Sequence, residues 1–233
     1  MGIIFDMDGV LIDSEELHFK AYTQVLARLG ANVSREEYAR EWIAAGRGPE
    51  YAVKAYSLPL SPEELRALKG PVYHEILKAE ACLMPGVIEA LSRLRPRYPL
   101  ALATNSNRAD VGFVMERFQL QRFFKAVVTR ECYALAKPEP DAFLAAAAAL
   151  ELPPSSCLVV EDSQRGIVAA HRAGAKCVAV PHAFTRDSDF SLAERVIADL
   201  DELTVELVEE LLGDAEGDLK ENQKSKIKRQ KEL

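Results

Sequence analysis

Ile3-Ile4-Phe5-Asp6-Met7-Asp8-Gly9-Val10-Leu11-Ile12-Asp13-Ser14-Glu15 stands at the head of the chain, and the rest is read outward from it. Three apolar residues, two of them β-branched, run straight into polar ones. A strand buried on both faces reads this way, with the polar residues marking its carboxyl end. On a strand, residues two apart point the same way. Asp6 and Asp8 therefore offer two carboxylates to one side of the strand tip, one able to act as a nucleophile and the other to shuttle a proton. Gly9 then lets the chain turn tightly away.

Four more runs repeat the pattern: Leu100-Ala101-Leu102-Ala103, Ala126-Val127-Val128, Leu158-Val159-Val160 and Cys177-Val178-Ala179-Val180. Helical segments separate them. Val87, Ile88, Leu91 and Leu94 recur at helical spacing over 86–95, residues 139–150 are alanine-rich, and 165–174 ends at Gly174, a natural helix stop. Strands alternating with helices predict an α/β fold, a doubly wound, Rossmann-like parallel sheet with helices on both faces.

The first two strands are too far apart for one crossover. Residues 15–80 show no strand pattern and read as helices over about 15–29, 34–45, 49–57 and 61–80. Ser34-Arg35-Glu36-Glu37 and Ser61-Pro62-Glu63-Glu64 both have the form of a capping box, the second with proline at the first helical position. An all-helical cap inserted after the first strand follows. The expected division is a core of 1–14 and 85–213, a cap of 15–84 hinged near Ser14 and Met84-Pro85-Gly86, and a charged tail of 214–233.

With 48% hydrophobic and 28% charged residues, the composition is that of a globular protein and excludes whole-chain disorder. No stretch is apolar enough to span a membrane. The chain begins at once with an apolar run and lacks a basic flank or cleavage site, which argues against secretion. Cys82, Cys132, Cys157 and Cys177 lack CxxC spacing and are expected as buried free thiols in a reducing cytoplasm. The net charge is −7; residues 218–233 carry six basic against three acidic side chains, so the body is more acidic still. An acidic body argues against nucleic acid as a partner, and the tail is expected to be a solvated terminus. The oligomeric expectation is a monomer or weak homodimer.

Ligands of doubly wound sheets bind at the carboxyl ends of strands. Asp6, Asp8 and Asp13 follow the first run, Thr104, Asn105 and Ser106 the second, Lys137 the third after a short loop, and Glu161, Asp162 and Ser163 the fourth. So many carboxylates share a small site only if a cation or protons neutralise them. Oxygen ligands suit Mg2+, and Mg2+ beside a lysine and a hydroxyl suits a phosphoryl group.

With these residues laid out, Asp6-Met7-Asp8-Gly9-Val10-Leu11-Ile12-Asp13-Ser14-Glu15 resembles the first motif of the haloacid dehalogenase superfamily, phosphatase branch. Thr104-Asn105-Ser106 resembles the second, Lys137-Pro138-Glu139-Pro140 the third, and Glu161-Asp162-Ser163-Gln164-Arg165-Gly166 the fourth. Four motifs in order, each behind a buried strand, make the resemblance specific. The helical insertion is similar to that of members whose cap covers the active site.

The resemblance implies Asp6 as nucleophile forming an aspartyl-phosphate, and Asp8 as general acid and then general base. It implies Thr104 on a phosphoryl oxygen and Lys137 neutralising charge beside Asp6. Mg2+ would be held by the Asp6 side chain, the Asp8 carbonyl and Asp162, with Glu161 either a ligand or an acceptor behind the ligands. Asn105, Ser106, His18 and Arg47 are candidates for binding the substrate. Trp42, Tyr38 and Phe19 read as cap core, and His182 and Arg186 as loop residues without a role. The expected function is a Mg2+-dependent phosphatase acting on a small phosphorylated metabolite. Two alternatives stand beside it. One is a phosphosugar mutase of the β-phosphoglucomutase type, whose branch has a histidine at the position of His18 and a cap lysine for which Lys54 and Lys69 both qualify. The other is a catalytically silent binding protein on the same fold.

Overall fold

The first apolar run forms β1 (Gly2–Phe5), buried along its whole length. In the computed structural model, which describes residues 1–213, β1 lies between β2 (Leu100–Ala103) and β4 (Cys157–Glu161). β3 (Ala126–Val128), β5 (Lys176–Ala179) and β6 (Arg195–Val196) complete a sheet of order β3-β2-β1-β4-β5-β6, parallel throughout. The chain winds from β1 to one edge, then returns to pair β4 with β1 and winds to the other. That reversal opens a crevice beyond the carboxyl ends of β1 and β4. β6 escapes a reading based on apolar runs, because it is an exposed pair of residues at the sheet edge.

Alternation along the strands divides the core. Ile3, Phe5, Leu100, Leu102, Leu158 and Val160 pack with residues of α5 (Val87–Leu94), α6 (Arg108–Arg117) and the helix at 205–213. Ile4, Ala101, Ala103, Val159 and Cys177 face α7 (Asp141–Leu150) and α8 (Gln164–Ala173). The alanines of α7 meet those of β2, and small side chains on both sides bring helix and sheet close. Gly174 ends α8 at φ +77°, as its position predicts.

The insertion contains α1 (Glu15–Arg28), a short α2 (Arg35–Glu37), a π-helical stretch Tyr38–Ala44, α3 (Gly48–Ala55) and α4 (Pro62–Glu80). Its own core gathers Tyr22, Leu26, Trp42 and Leu65. The single helix expected over 34–45 is thus a turn of α-helix continued as π-helix. Ser61 and Glu64 form the full capping box. Ser34 makes only half of one: it accepts from the Glu37 N–H, but the Glu37 carboxylate takes the hydroxyls of Tyr51 and Tyr56 at 2.8 and 2.6 Å instead. The two linkers run side by side, Asp13 N–H donating to Cys82 O and Met84 N–H to Leu11 O.

One expectation is corrected. Cys157 and Cys177 are buried, but Cys82 and Cys132 are exposed, since the first lies in the returning linker and the second in a surface turn. The Lys-rich tail expected at 214–233 lies outside the described residues. No described helix is long and apolar enough to cross a membrane.

Candidate active site

The tips of β1, β2 and β4, the connection after β3, and Thr185 and Ser188 in the loop after β5 deliver polar residues to one cavity of about 650 Å³ between the sheet and the helical insertion. Asp6 follows β1, its N–H bonded to Val160 O. Lys137 Nζ reaches it from the β3–α7 connection, 2.5 Å from Asp6 Oδ1, 2.8 Å from Glu161 Oε1 and 2.9 Å from Ala103 O, so all three ammonium protons are used. Burial works against the charge of Lys137, but the carboxylates of Asp6 and Glu161 outweigh it and raise the Lys137 pKa. Glu161 Oε2 accepts from the N–H groups of Asp162 and Ser163 and from Ser163 Oγ. Burial pushes the Glu161 carboxyl up, and Lys137 with these hydrogen bonds pulls it below the ordinary value.

Asp8 is surrounded by hydroxyls. Ser14 Oγ donates to Oδ1 at 2.7 Å, while Ser106 Oγ and Thr104 Oγ1 donate to Oδ2 at 2.6 and 3.2 Å. Thr104 does not cap α6; Asn107 does, accepting from Asp110 N–H. Asn105 Oδ1 accepts from Tyr133 Oη and Lys137 N–H, leaving its amide protons for a ligand. Asp13 is exposed in the linker and does not line the cavity with Asp6 and Asp8.

Asp162, at the tip of β4, stands beside a residue that the sequence reading left without a role. His182 Nε2 lies 2.9 Å from Asp162 Oδ2. Burial lowers the His182 pKa below the usual 6.5. The missed signal was its place directly after the fifth strand, at the same sheet edge as the four motifs.

Oxygens of Asp6, Glu161 and Asp162, all buried, lie within 4.8 Å of one another. One lysine serves the cluster, in contact with Asp6 and Glu161. Burial, together with neighbouring carboxylates, pushes Asp6 and Asp162 well above the ordinary carboxylate range despite Lys137. The cluster therefore lacks positive charge, and its donors are hard oxygens, a set that fits a divalent cation. Both Glu161 oxygens are engaged by the protein, whereas Asp6 Oδ2 and Asp162 Oδ1 have no hydrogen-bond partner among the described residues.

The insertion supplies the opposite wall. His18, on α1, stacks on Tyr73 with ring centroids 4.1 Å apart, and its Nδ1 lies 2.5 Å from Lys69 Nζ on α4. Burial, reinforced by Lys69, holds His18 well below its usual pKa, so the neutral ring accepts from the ammonium and turns Nε2 toward Asp8 Oδ1, 3.8 Å away. Burial lowers Lys69 itself to about 8. Arg47 does not join this wall. It is exposed, paired with Glu41, and its guanidinium lies over Tyr51. The cations that line the cavity from the insertion are Arg66 and Lys69, and Arg165 joins them from α8. Trp42 and Tyr38 serve both as cap core and as cavity wall.

Comparison with known proteins places this geometry in a family. Residues 3–180 match the haloacid dehalogenase-like hydrolase family. The chain is 33% identical over 222 residues to protein CbbY of Rhodobacter capsulatus, covering 90% of this chain and 98% of that protein. It is 31% identical over 219 residues to hexitol phosphatase B of Escherichia coli K12, covering 91% and 97%. Among solved structures, CbbY of Rhodobacter sphaeroides in complex with phosphate superposes with a TM-score of 0.74 at 29% identity, over 87% of this chain and 95% of that one. The match spans every strand tip that feeds the cavity, and the protein belongs to the haloacid dehalogenase-like hydrolases.

Proposed function

We propose that this enzyme is a phosphatase that hydrolyses a small phosphorylated metabolite, a sugar or sugar-alcohol phosphomonoester, through an aspartyl-phosphate on Asp6 and with Mg2+. The observation that carries the reading is the contact of Lys137 Nζ with Asp6 Oδ1 at 2.5 Å. One carboxylate oxygen is held still and its charge offset, so the other can meet an anionic phosphoryl group. The names of the phosphatase relative and of the phosphate-bound CbbY structure support the same chemistry.

Phosphoryl transfer needs in-line positioning and charge stabilisation above all. Asp6 attacks phosphorus, and the bond to the ester oxygen breaks. Asp8, as the acid, gives its proton to that oxygen, and the alcohol leaves. Asp8, now a carboxylate, takes a proton from water; the water oxygen attacks phosphorus, phosphate departs and the Asp6 carboxylate is restored. The hydroxyls of Ser14, Thr104 and Ser106 suit both stages, because a hydroxyl donates to a carboxylate and accepts from a carboxylic acid. Thr104, Ser106 and the Asn105 amide also face the phosphoryl oxygens. Asp6, Asp162 and the Asp8 carbonyl would hold Mg2+, with Glu161 behind them anchoring Lys137. When bound, the ion neutralises charge on the phosphoryl oxygens. The volume beyond these groups and its Arg66 and Lys69 wall leave room for the rest of the substrate.

Purified protein is offered p-nitrophenyl phosphate and a panel of sugar and sugar-alcohol phosphates with and without Mg2+. Phosphate release requires the ion and disappears in Asp6→Asn. Undiminished turnover in that variant overturns the nucleophile.

The contact of Lys69 with His18 beside Asp8 favours a second reading, a phosphosugar mutase. In that case β-glucose 1-phosphate with a bisphosphate activator yields the 6-phosphate, with little free phosphate.

A further inference from the structure

We propose that His182 is a positioning residue that fixes the Asp162 carboxylate for its cation, and that Phe184 ties this setting to the helical cap. The inference rests on the cation reading above.

The geometry fixes the imidazole's role. Phe184 N–H donates to His182 Nδ1 at 3.3 Å, which makes Nδ1 the acceptor and leaves the ring proton on Nε2. Nε2 then donates to Asp162 Oδ2 at 2.9 Å. Only Oδ1 remains without a partner among the described residues, so Asp162 would offer that oxygen to a cation. The ring is itself held in place. His182 N–H donates to Thr185 Oγ1, and the N–H groups of Thr185 and Arg186 both donate to the His182 carbonyl, all at 3.0 Å. Gly9 closes the other side: a Cβ there would lie 2.5 Å from Asp162 Oδ2 and 2.7 Å from His182 Nε2.

The same loop reaches the cap. Phe184 is buried among cap residues, its ring 5.8 Å from Tyr38 and 6.4 Å from Phe19, with the Arg35 guanidinium 4.4 Å over its face. The residue whose N–H orients His182 is thus packed into the insertion, not into the sheet. Cap packing and the aim of a candidate metal ligand are joined through one turn of loop.

The test is calorimetric titration of Mg2+ into the full chain, repeated with Mn2+ followed by electron paramagnetic resonance. His182→Gln keeps a donor toward Asp162; His182→Met fills similar space without one. The Met variant binds the ion about 10–100-fold more weakly and the Gln variant stays near wild type, in line with the usual effect of removing a hydrogen-bonding group behind a metal ligand. Phe184→Ala, with every ligand and His182 intact, weakens binding by about threefold or more. Equal affinities for the Gln and Met variants overturn the positioning role. An unchanged affinity in Phe184→Ala overturns the tie to the cap. Absence of binding by the unsubstituted chain overturns the cation reading and this inference with it, so the two failures are told apart.

Discussion

Gly166 closes directly on Glu161: a Cβ at position 166 would lie 1.7 Å from Glu161 Oε1, the oxygen that holds Lys137. The first turn of α8 can pass so near the β4 tip only because residue 166 has no side chain. Gly166→Ala must displace the carboxylate and release the lysine. The expected result is a loss of about 1–3 kcal/mol in thermal or denaturant unfolding, the range of overpacked cores, together with a collapse of phosphatase turnover. Normal stability and turnover would show that α8 can shift aside.

Lys137 offers a second test. Its removal leaves Asp6 and Glu161 buried without their cation, and breaking a buried pair from one side costs about 3–5 kcal/mol. Lys137→Met therefore destabilises the metal-free protein by about that amount, read from urea unfolding, and Mg2+ recovers part of the loss. A loss below about 1 kcal/mol would place the pair in better-hydrated surroundings than its burial indicates.

The acidic cluster predicts an unusual pH dependence. Asp6 and Asp162 have folded-state pKa values raised above the unfolded 3.8, so between those limits the folded state binds more protons, and stability falls as pH rises. Glu161 acts oppositely: its lowered value contributes stability above the unfolded 4.5, lost as pH falls through the folded value. Glu161 therefore acts only below about pH 4.5, while in mildly acidic solution the lowered His18 and His182 lose stability with acid and oppose the two aspartates. In chelator, the melting temperature of wild type minus that of an Asp6→Asn, Asp162→Asn double variant, which keeps both histidines, should therefore climb as pH drops from about 7.5 to about 5, and saturating Mg2+ should flatten that slope. A difference that falls with acid in chelator would contradict it.

The two cap cations should behave differently. Arg47 is paired with Glu41 away from the cavity, so Arg47→Ala should change kcat/KM by less than about twofold, whereas Lys69→Met should raise KM about tenfold or more. Because burial places Lys69 near 8, wild-type KM should also rise as pH passes that value, and the Met variant should lose this dependence. Steady-state kinetics on a sugar phosphate between pH 6 and 9 decides both points.

The chemistry-bearing tips were legible because each follows an apolar run that reads as a strand, and parallel strands deposit their next residues at a common edge, even though β3, expected to be buried on both faces, lies at the sheet edge with Val127 exposed. Asp6, Asp8, Thr104, Lys137, Glu161 and Asp162 all reach one cavity for that reason. His182 obeyed the same rule after β5 but belonged to no motif, and its value came only from its contact with Asp162. Arg47 lies away from the cavity, and a glycine-rich stretch does not reveal that Glu41, six residues earlier, captures its guanidinium.

By itself the sequence determined the parallel sheet, the place of the helical insertion and the residues at the strand tips, since these depend on local periodicity and on the order of elements along the chain. The tertiary structure alone decided which oxygens are engaged and which are free, which insertion cations face the cavity, and that Phe184 lies in the cap core. Those outcomes depend on distances between side chains far apart in the chain. No spacing along the chain encodes such distances, and packing sets each of them.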